Sequence, residues 1–230
     1  MSRPSRLPID QLRPLLLDVP HPRSPPEQLR QQLAETPPAQ LDWPQLFGNP
    51  NAVEIEAGVG KGLFLVNESR RRPDTNFLGI EIEGKYVLLA ADRLIRRGAT
   101  NVRLACTDAH WLLRERVPAA SVAAVHVYFP DPWWKKRHHK RRLFTPSFAV
   151  QCARVVRPGG WLHFASDVAE YFAEITAMLT GQGAWRPIAW PAPAAAQDEA
   201  DYLTNFERKY RKEGRAVHRA RFERLGVDAL

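Results

Sequence analysis

The segment Tyr128–Arg142 brings together three kinds of side chain that could do chemistry. Asp131 lies between two prolines, the indoles of Trp133 and Trp134 follow, and Lys135–Arg142 holds six lysines and arginines. A fixed carboxylate stabilises positive charge that develops in a reaction, an aromatic ring stacks on a nucleobase, and cationic side chains bind phosphate. The alternative interpretation is a turn residue, two core indoles and a solvated loop. The occurrence of all three features in one short segment favours a functional role over this purely structural interpretation.

Positive charge is concentrated in this segment and in a second one, Arg208–Arg224. The whole chain has 33 lysines and arginines against 25 acidic residues, a net charge of +8. The two segments carry more positive charge than the whole chain, so the remainder is slightly acidic. A focused positive field predicts a polyanion partner, although two solvated loops would have the same composition. The side chains expected to contact a nucleic-acid backbone are Lys136, Arg137, Lys140, Arg141 and Arg142.

The glycine-rich segment Glu54–Gly62 is expected to bind a ligand through its backbone. Gly58 and Gly60 permit a tight turn and close approach of the ligand, and the helix that follows presents an electropositive end. The Lys-Ser/Thr ending of a phosphate loop is absent, and Glu56 stands where a dinucleotide fingerprint would place its first glycine. The acidic Glu54 fits a cationic ligand better than a pyrophosphate.

Two more carboxylates follow predicted strands. Glu81 lies about twenty residues beyond the glycine loop, where an acid is placed to bind both hydroxyls of a ribose. Asp108 follows the next strand and could contact an adenine amino group or cap the following helix, and both roles can coexist.

These side chains need a framework that brings strand ends together. Short apolar runs alternate with amphipathic helices, which predicts a parallel sheet covered by helices on both faces, and ligands bind beyond the carboxyl ends of such strands. The predicted strands are Ala52–Ile55, Phe77–Ile80, Val102–Ala105, Val122–Phe129 and Trp161–Ala165. The predicted helices are Gly62–Arg71, Lys85–Arg97, Ala109–Arg116, Pro146–Val156 and Val168–Thr180.

Residues 1–50 hold eleven of the twenty prolines, which predicts an extended, partly disordered arm. We expect a short helix over Glu27–Ala34 in this arm, and docking of Leu15–Leu17 and Trp43 onto a domain formed by residues 51–230. Two scattered cysteines predict neither disulfides nor a metal site and favour a reducing, cytoplasmic location. No apolar run reaches the about 20 residues that span a bilayer, so no membrane partner is expected.

Five motifs occur in one order along residues Asn51–Arg224, and together they resemble the bacterial tRNA (guanine-N7)-methyltransferases. Those enzymes use S-adenosylmethionine to methylate a guanine of the tRNA variable loop, at position 46. The Phe-Pro-Asp-Pro-Trp motif is the most specific, whereas many methyltransferases share the glycine loop. The motifs are Glu54-Ile55-x-x-Gly58-x-Gly60, Gly79-Ile80-Glu81, Phe129-Pro130-Asp131-Pro132-Trp133 with its basic tail, Ser166-Asp167, and Thr204-Asn205-Phe206-Glu207.

The resemblance implies a Rossmann-like methyltransferase fold with a doubly wound, mostly parallel, seven-stranded sheet. Its last strand, around Ala216–Phe222, is expected to be antiparallel and to return Thr204–Glu207 over the site. The implied cofactor-binding residues are Glu54, Gly58, Gly60, Glu81, Asp108 and Asp131, with Asp131 also catalytic. The implied substrate-binding residues are Lys135, Asp167, Thr204, Asn205, Phe206 and Glu207.

Two positions depart from the family pattern. Glu56 occupies the place of the first glycine in Glu-x-Gly-x-Gly-x-Gly, and Asn205 stands where some members carry lysine. A methyltransferase for another substrate and a non-catalytic RNA-binding protein on the same scaffold are the competing functions. The sequence leaves open the oligomeric state and which of Trp133 and Trp134 stacks on a base.

Overall fold

An eight-stranded β-sheet forms the centre of this computed structural model, which describes residues 6–20, 39–190 and 203–226. The strands are β1 (Leu16–Leu17), β2 (Ala52–Ala57), β3 (Thr75–Glu81), β4 (Val102–Cys106), β5 (Val122–Tyr128), β6 (Val156–Ser166), β7 (Trp185–Ile188) and β8 (His218–Arg224). They lie in the order β1-β4-β3-β2-β5-β6-β8-β7. Only the two pairs that β8 makes, with β6 and β7, are antiparallel within the described residues.

Helices connect the strands and cover both faces. They are α1 (Ile9–Leu12), α2 (Trp43–Phe47), α3 (Leu63–Arg71), α4 (Gly84–Arg96), α5 (Ala109–Arg116), α6 (Pro146–Val155), α7 (Ala169–Gly181) and α8 (Asn205–Lys212), with short 3₁₀ helices at Arg13–Leu15 and Lys136–Arg141. In α4 the buried residues Val87, Ala90, Ala91 and Leu94 recur at helical spacing, so one stripe packs inward.

Two apolar cores sandwich the sheet. On one face Ile55 and Val125 of the central strands pack with Phe148 of α6 and Ile175 of α7. On the other face the second core joins strand residues such as Phe77 to α3 and α4. Since successive strand residues point to opposite faces, burial on both sides explains why these strands read as nearly continuous apolar runs.

The order of the strands places the candidate site. The chain moves from β2 outward through β3 and β4, and then returns to the other side of β2 with β5. The carboxyl ends of β2, β3 and β5 therefore adjoin the point where the strand order reverses. In doubly wound sheets ligands bind at that point.

The structure confirms the α/β class and the antiparallel β8 but corrects the count of seven strands to eight. The additional strand is β1, whose Leu16 and Leu17 pair with Leu104 and Ala105 of β4. Two residues carry no readable period, so only docking on the sheet edge makes them a strand. Helix α8 was not expected from the sequence either.

The described parts of the N-terminal arm dock onto the domain. Leu15 and Trp43 are buried, as is Leu12, and Trp43 begins α2 behind the cap of Asp42. The expected helix over Glu27–Ala34 lies outside the described residues, and so does Pro191–Ala196, whose proline and alanine content predicts a loop. Throughout the described ranges, none of the helices combines the length and apolarity needed to cross a membrane.

Candidate active site

The loop between β2 and α3 is built from glycines that need positive φ. Gly58 and Gly60 have φ of 90° and 54°, and a Cβ built on either would meet no atom of the described residues within 4 Å. Gly58 and Val59 donate their N–H groups to the carbonyl of Ile80, at 2.8 and 3.3 Å. The loop is thus fastened to the end of β3 while open space remains beside its glycines, as close approach of a ligand to the backbone requires.

Glu81 lies at the end of β3 and holds the same loop. Its Oε2 accepts the N–H of Gly60 at 2.9 Å, and its Oε1 accepts the N–H of Glu83 at 2.9 Å. Glu81 is partly exposed, and a carboxylate has about four lone-pair sites, so acceptor capacity remains after these two bonds. The predicted ribose-binding acid therefore lies against the glycine loop.

Glu54 is committed to internal partners. Its two oxygens accept hydrogen bonds from the guanidinium of Arg72 at 2.6 and 2.8 Å, and its Oε2 also lies 2.8 Å from Nε2 of His126. Burial alone would raise the pKa of Glu54, but the hydrogen bonds from His126 and Arg72 outweigh it and lower the pKa to about 2. This ion pair secures the middle of β2 and leaves the expected cofactor acid without a free oxygen.

Glu56 has the opposite environment. It is 2% exposed, and its Oε2 has no hydrogen-bond partner among the residues that the structure describes. Burial, with a further contribution from the negative charge of Glu81, raises the pKa of Glu56 well above its ordinary value. A cationic ligand nearby would supply the missing partner and offset both effects.

The sequence contained a signal for Glu56 that the motif assignment missed. Counted from Glu56, the chain reads Glu-Ala-Gly-Val-Gly-Lys-Gly and fits Glu-x-Gly-x-Gly-x-Gly with all three glycines. The third glycine, Gly62, has φ of 77° and precedes α3, and a Cβ on it would lie 2.8 Å from the Cβ of Ala90. The apparent departure at Glu56 therefore disappears when the motif is moved by two residues.

Asp108 caps α5, which is one of the two roles predicted for it. Its Oδ1 accepts the N–H of Trp111 at 2.8 Å, and its backbone is extended as an N-cap requires. Only Oδ1 makes this bond, so Oδ2 keeps its capacity to accept a hydrogen bond. The two roles weighed for Asp108 are compatible in this geometry.

Asp131 lies on a turn with an unusual backbone. Phe129 and Trp133 have φ of 52° and 45°, a region that is sterically costly for large side chains. The turn is held because Arg142 donates to the carbonyl of Pro132 at 2.7 Å and pairs with both oxygens of Glu174. Asp131 itself is exposed at the carboxyl end of β5. Its carboxylate is thus presented on a rigid support.

The basic side chains of this segment divide into two groups. Lys135, Arg137 and Arg141 are exposed, whereas the side chain of Arg142 is 12% exposed and bound internally. Arg142 therefore supports the turn, and its predicted phosphate contact stays a prediction. The side chains of Lys136 and Lys140 lie outside the described part of the chain.

The predicted substrate residues of α8 are held by ion pairs. Thr204 caps the helix by accepting the N–H of Glu207 at 3.1 Å. Glu207 is fully buried; it pairs with Arg211 at 3.3 Å and with Arg219, and accepts the N–H of Leu203. This network fastens α8 to β8.

Aromatic contacts bring α8 next to the turn of Asp131. Phe206, which is 48% exposed, lies 6.4 Å from the ring of Phe129 between centroids. Asn205 accepts a bond from Arg208, and Asp167 pairs with Arg215. The structure therefore gathers the glycine loop, Glu81, Asp131 and α8 at one edge of the sheet.

The side chains at this edge fit S-adenosylmethionine, a cationic nucleoside. The open space beside Gly58 and Gly60 would admit a ligand to the backbone, and Oε2 of Glu56, near Glu81 and without a hydrogen-bond partner in the described residues, matches a positive charge. In the described residues no group of three or more histidines, cysteines and acids is placed to hold a metal ion.

Comparison with solved structures identifies the fold. The fold is similar to that of the 16S rRNA methyltransferase KamB, with a TM-score of 0.57, 17% identity and coverage of 79% of this chain and 91% of that one. It is equally similar, at a TM-score of 0.57 and 17% identity, to a mutant 16S rRNA (adenine(1408)-N(1))-methyltransferase from Catenulisporales acidiphilia solved with its cosubstrate SAM, over 82% and 93% of the two chains. The fold is therefore the Rossmann-like fold of these methyltransferases.

Comparison with known sequences gives the family. A family model described as "Putative methyltransferase" matches residues 50–220. A tRNA (guanine-N(7)-)-methyltransferase from Rhodopirellula baltica is 43% identical over 190 residues, which cover 79% of this chain and 69% of that protein. One from Nitrosococcus oceani is 35% identical over 184 residues, covering 80% and 76%. The chain belongs to the tRNA (guanine-N(7)-)-methyltransferase family.

Proposed function

We propose that this protein transfers a methyl group from S-adenosylmethionine to N7 of a guanine in tRNA, at position 46 of the variable loop. One observation carries the proposal: a glycine loop lined by acids meets an exposed carboxylate and exposed cations at a single sheet edge. The family membership agrees with this chemistry. Neither Cys106 nor Cys152 is in a disulfide, and this, together with a tRNA substrate, favours a cytoplasmic location.

For the cofactor we assign four sets of contacts. The backbone of Gly58–Gly60 lies against the ligand, and Glu81 uses its remaining lone pairs for ribose hydroxyls. Oδ2 of Asp108 accepts from an adenine amino group while Oδ1 caps α5. Glu56, rather than Glu54, takes the cationic part of the ligand, because both oxygens of Glu54 accept hydrogen bonds whereas Oε2 of Glu56 has no partner among the described residues.

The reaction asks little acid–base chemistry of the protein. When bound, S-adenosylmethionine supplies an activated methyl group on a sulfonium. Guanine N7 is a lone-pair nucleophile without a proton, so no general base is required. Alignment of the reactants can supply on the order of 7–11 kcal/mol. Asp131, fixed on its strained turn, stabilises the positive charge that develops on the purine.

For tRNA we assign the exposed cations Lys135, Arg137 and Arg141 to the phosphates. The buried network of Glu207 positions α8, so that Thr204, Asn205 and Phe206 lie beside the turn of Asp131. Asp167 follows β6 at the same edge of the sheet and pairs with Arg215; the acceptor capacity that this pair leaves would serve the guanine N1–H and amino group that distinguish guanine from adenine.

The deciding experiment is nucleoside mapping. Purified protein is incubated with S-adenosylmethionine and tRNA that lacks the modification; the products are digested for mass spectrometry and cleaved chemically at N7-methylguanine to locate the site. We expect N7-methylguanosine in the variable loop. Another methylated nucleoside would support a different methyltransferase. Absence of cofactor binding by calorimetry would support a non-catalytic RNA-binding protein.

A further inference from the structure

Trp133 and Trp134 are neighbours in the chain with opposite environments. The ring of Trp133 lies 5.2 Å from the guanidinium of Arg141 and makes an edge contact with His138, at 5.9 Å between centroids. Trp134 is 70% exposed, the largest exposure among the large apolar side chains in the described parts of the protein. The structure thus separates a structural indole from an available one.

The backbone explains why the two indoles differ. Trp133 has φ of 45°, in the left-handed region, and this strained residue lies on the turn that Arg142 and Glu174 hold. Trp133 packs under Arg141, while Trp134 stands in solvent. An exposed indole forgoes the hydrophobic stabilisation that its burial would give. Such an indole is typical of a binding surface.

The charges around Trp134 indicate the kind of partner. Lys135 and Arg137 follow it and are exposed, and Asp131, the proposed catalytic group, precedes it by three residues. A flat aromatic ring among cations suits a single-stranded nucleic acid, in which phosphates meet the cations and an unstacked base meets the ring. An apolar protein partner would not match this positive rim.

We infer that Trp134 is a stacking platform for an unpaired nucleobase of the tRNA, next to the reacting guanine. This inference rests on the proposed tRNA substrate and adds a specificity-determining residue to it. Trp133 packs against Arg141 and His138 and stabilises the turn. A phenylalanine at position 134 would keep the flat ring and therefore most of the interaction, whereas alanine would remove it.

The test compares Trp134→Ala and Trp134→Phe with wild type in equilibrium binding of the unmodified tRNA. Base–aromatic stacking of the usual strength corresponds to about 5- to 150-fold weaker binding for Trp134→Ala. Trp134→Phe should stay within about threefold. The salt dependence of binding should be the same in all three proteins, since no charge changes. Val150→Ala, which removes another exposed apolar side chain on α6, should change nothing.

Tryptophan fluorescence gives a second measurement, and the contribution of Trp134 to it would not change on addition of tRNA if Trp134 had only a structural role. Stacking on a base quenches an indole, so added tRNA should quench wild type more than Trp134→Phe. Equal quenching in the two proteins, or unchanged affinity in Trp134→Ala, would overturn the inference. So would a wild-type dimer that Trp134→Ala dissociates, because the indole would then be buried between two copies. Calorimetry with S-adenosylhomocysteine should give equal affinities and confirms that each variant is folded.

The same proteins separate this inference from the proposed function. If wild type methylates guanine N7 and Trp134→Ala binds tRNA normally, the stacking assignment fails alone. If wild type yields no N7-methylguanosine but binds RNA with quenching of Trp134, the proposed reaction fails and the binding surface stands.

Discussion

The two basic segments have similar compositions and different electrostatic roles. In Lys135–Arg142 the side chains of Lys135, Arg137 and Arg141 reach solvent. In Arg208–Arg224 three arginines are paired with acids: Arg211 and Arg219 with Glu207, and Arg215 with Asp167. Part of the charge in the second segment therefore fastens α8 to β8. The total number of cations in a segment does not show how well it can bind nucleic acid. The number of cations that have no acidic partner is the better indicator.

The same contrast divides the two carboxylates of β2. Glu54 is paired with Arg72 and His126 and stabilises the sheet, whereas Oε2 of Glu56, in the strand that leads into the glycine loop, has no partner in the described parts of the chain. Both are buried, so burial alone would not separate them. A buried carboxyl group with a cationic partner stabilises the fold, and one whose oxygen has no partner remains able to bind a ligand.

The largest effect is expected from breaking the buried ion pair between Glu207 and Arg219. Glu207→Gln leaves Arg219, whose side chain is 10% exposed, without its carboxylate. Removing one partner of a buried ion pair should lower the free energy of unfolding by about 3–5 kcal/mol. Urea denaturation measures this value. As the control, Glu223→Gln breaks the more exposed pair with Arg186 and should cost less than about 1 kcal/mol. Equal losses would contradict the comparison.

In the segment Tyr128–Arg142 the largest effect is expected from changing Asp131, and it should fall on the rate of methyl transfer. Asp131→Asn keeps the turn but removes the negative charge, so the single-turnover rate at saturating tRNA and cofactor should fall about 10²–10³-fold. Binding of tRNA should persist, and circular dichroism checks the fold. A rate within threefold of wild type would show that Asp131 only shapes the turn.

The contrast between the β2 carboxylates predicts different losses from matched substitutions. Glu56→Gln should weaken S-adenosylmethionine binding by about 1.5–3 kcal/mol, the usual value of a hydrogen bond to a charged group. Glu54→Gln should lower stability and leave cofactor affinity within about threefold. Isothermal calorimetry on both variants decides between them. The reverse order would restore Glu54 to the role that the sequence suggested.

A smaller effect is expected from the exposed arginines. Arg137→Gln together with Arg141→Gln should reduce the log–log salt slope of tRNA binding by about 0.7–0.9 for each phosphate that is no longer neutralised. Arg70→Gln with Arg97→Gln, two exposed arginines at the ends of other helices, removes the same charge away from the turn and serves as the control. Binding titrations over a range of salt concentrations compare the two. Identical slopes in both double variants would mean that the cations of this segment are only solvated.

The two carboxylates should also give opposite pH dependence of stability. The pKa of Glu54 is lowered from 4.5 to about 2, so its contribution is present above pH 4.5 and is lost as the pH falls towards 2. The pKa of Glu56 is raised, so its contribution is present below pH 4.5 and is lost as the pH rises through that higher value. The free energy of unfolding should be measured from pH 3 to 8. Its decrease towards low pH should be smaller in Glu54→Gln than in wild type, and its decrease towards high pH should be smaller in Glu56→Gln.

Much of the fold could be predicted because its signals are local. The helix Ala109–Arg116 was predicted with the bounds the structure has, since Asp108 caps it and an apolar stripe follows. Strand β1 and helix α8 could not be predicted. Leu16 and Leu17 become a strand only by pairing with β4, and α8 is highly charged and depends on Glu207 binding Arg219 across to β8.

The sequence by itself determined the chemistry available at the site: the glycine loop, the acids after the strands, Asp131 between prolines, and the cations that follow. Only the tertiary structure decided which of these groups are available. Arg72 reaches Glu54 across 18 residues, Arg215 reaches Asp167 across 48, and Arg141 rather than a nucleobase covers Trp133. Composition and spacing record which charges a chain carries, but pairing depends on distances in the folded molecule. A side chain is available to a ligand only when folding has left it donor or acceptor capacity that its internal partners do not use.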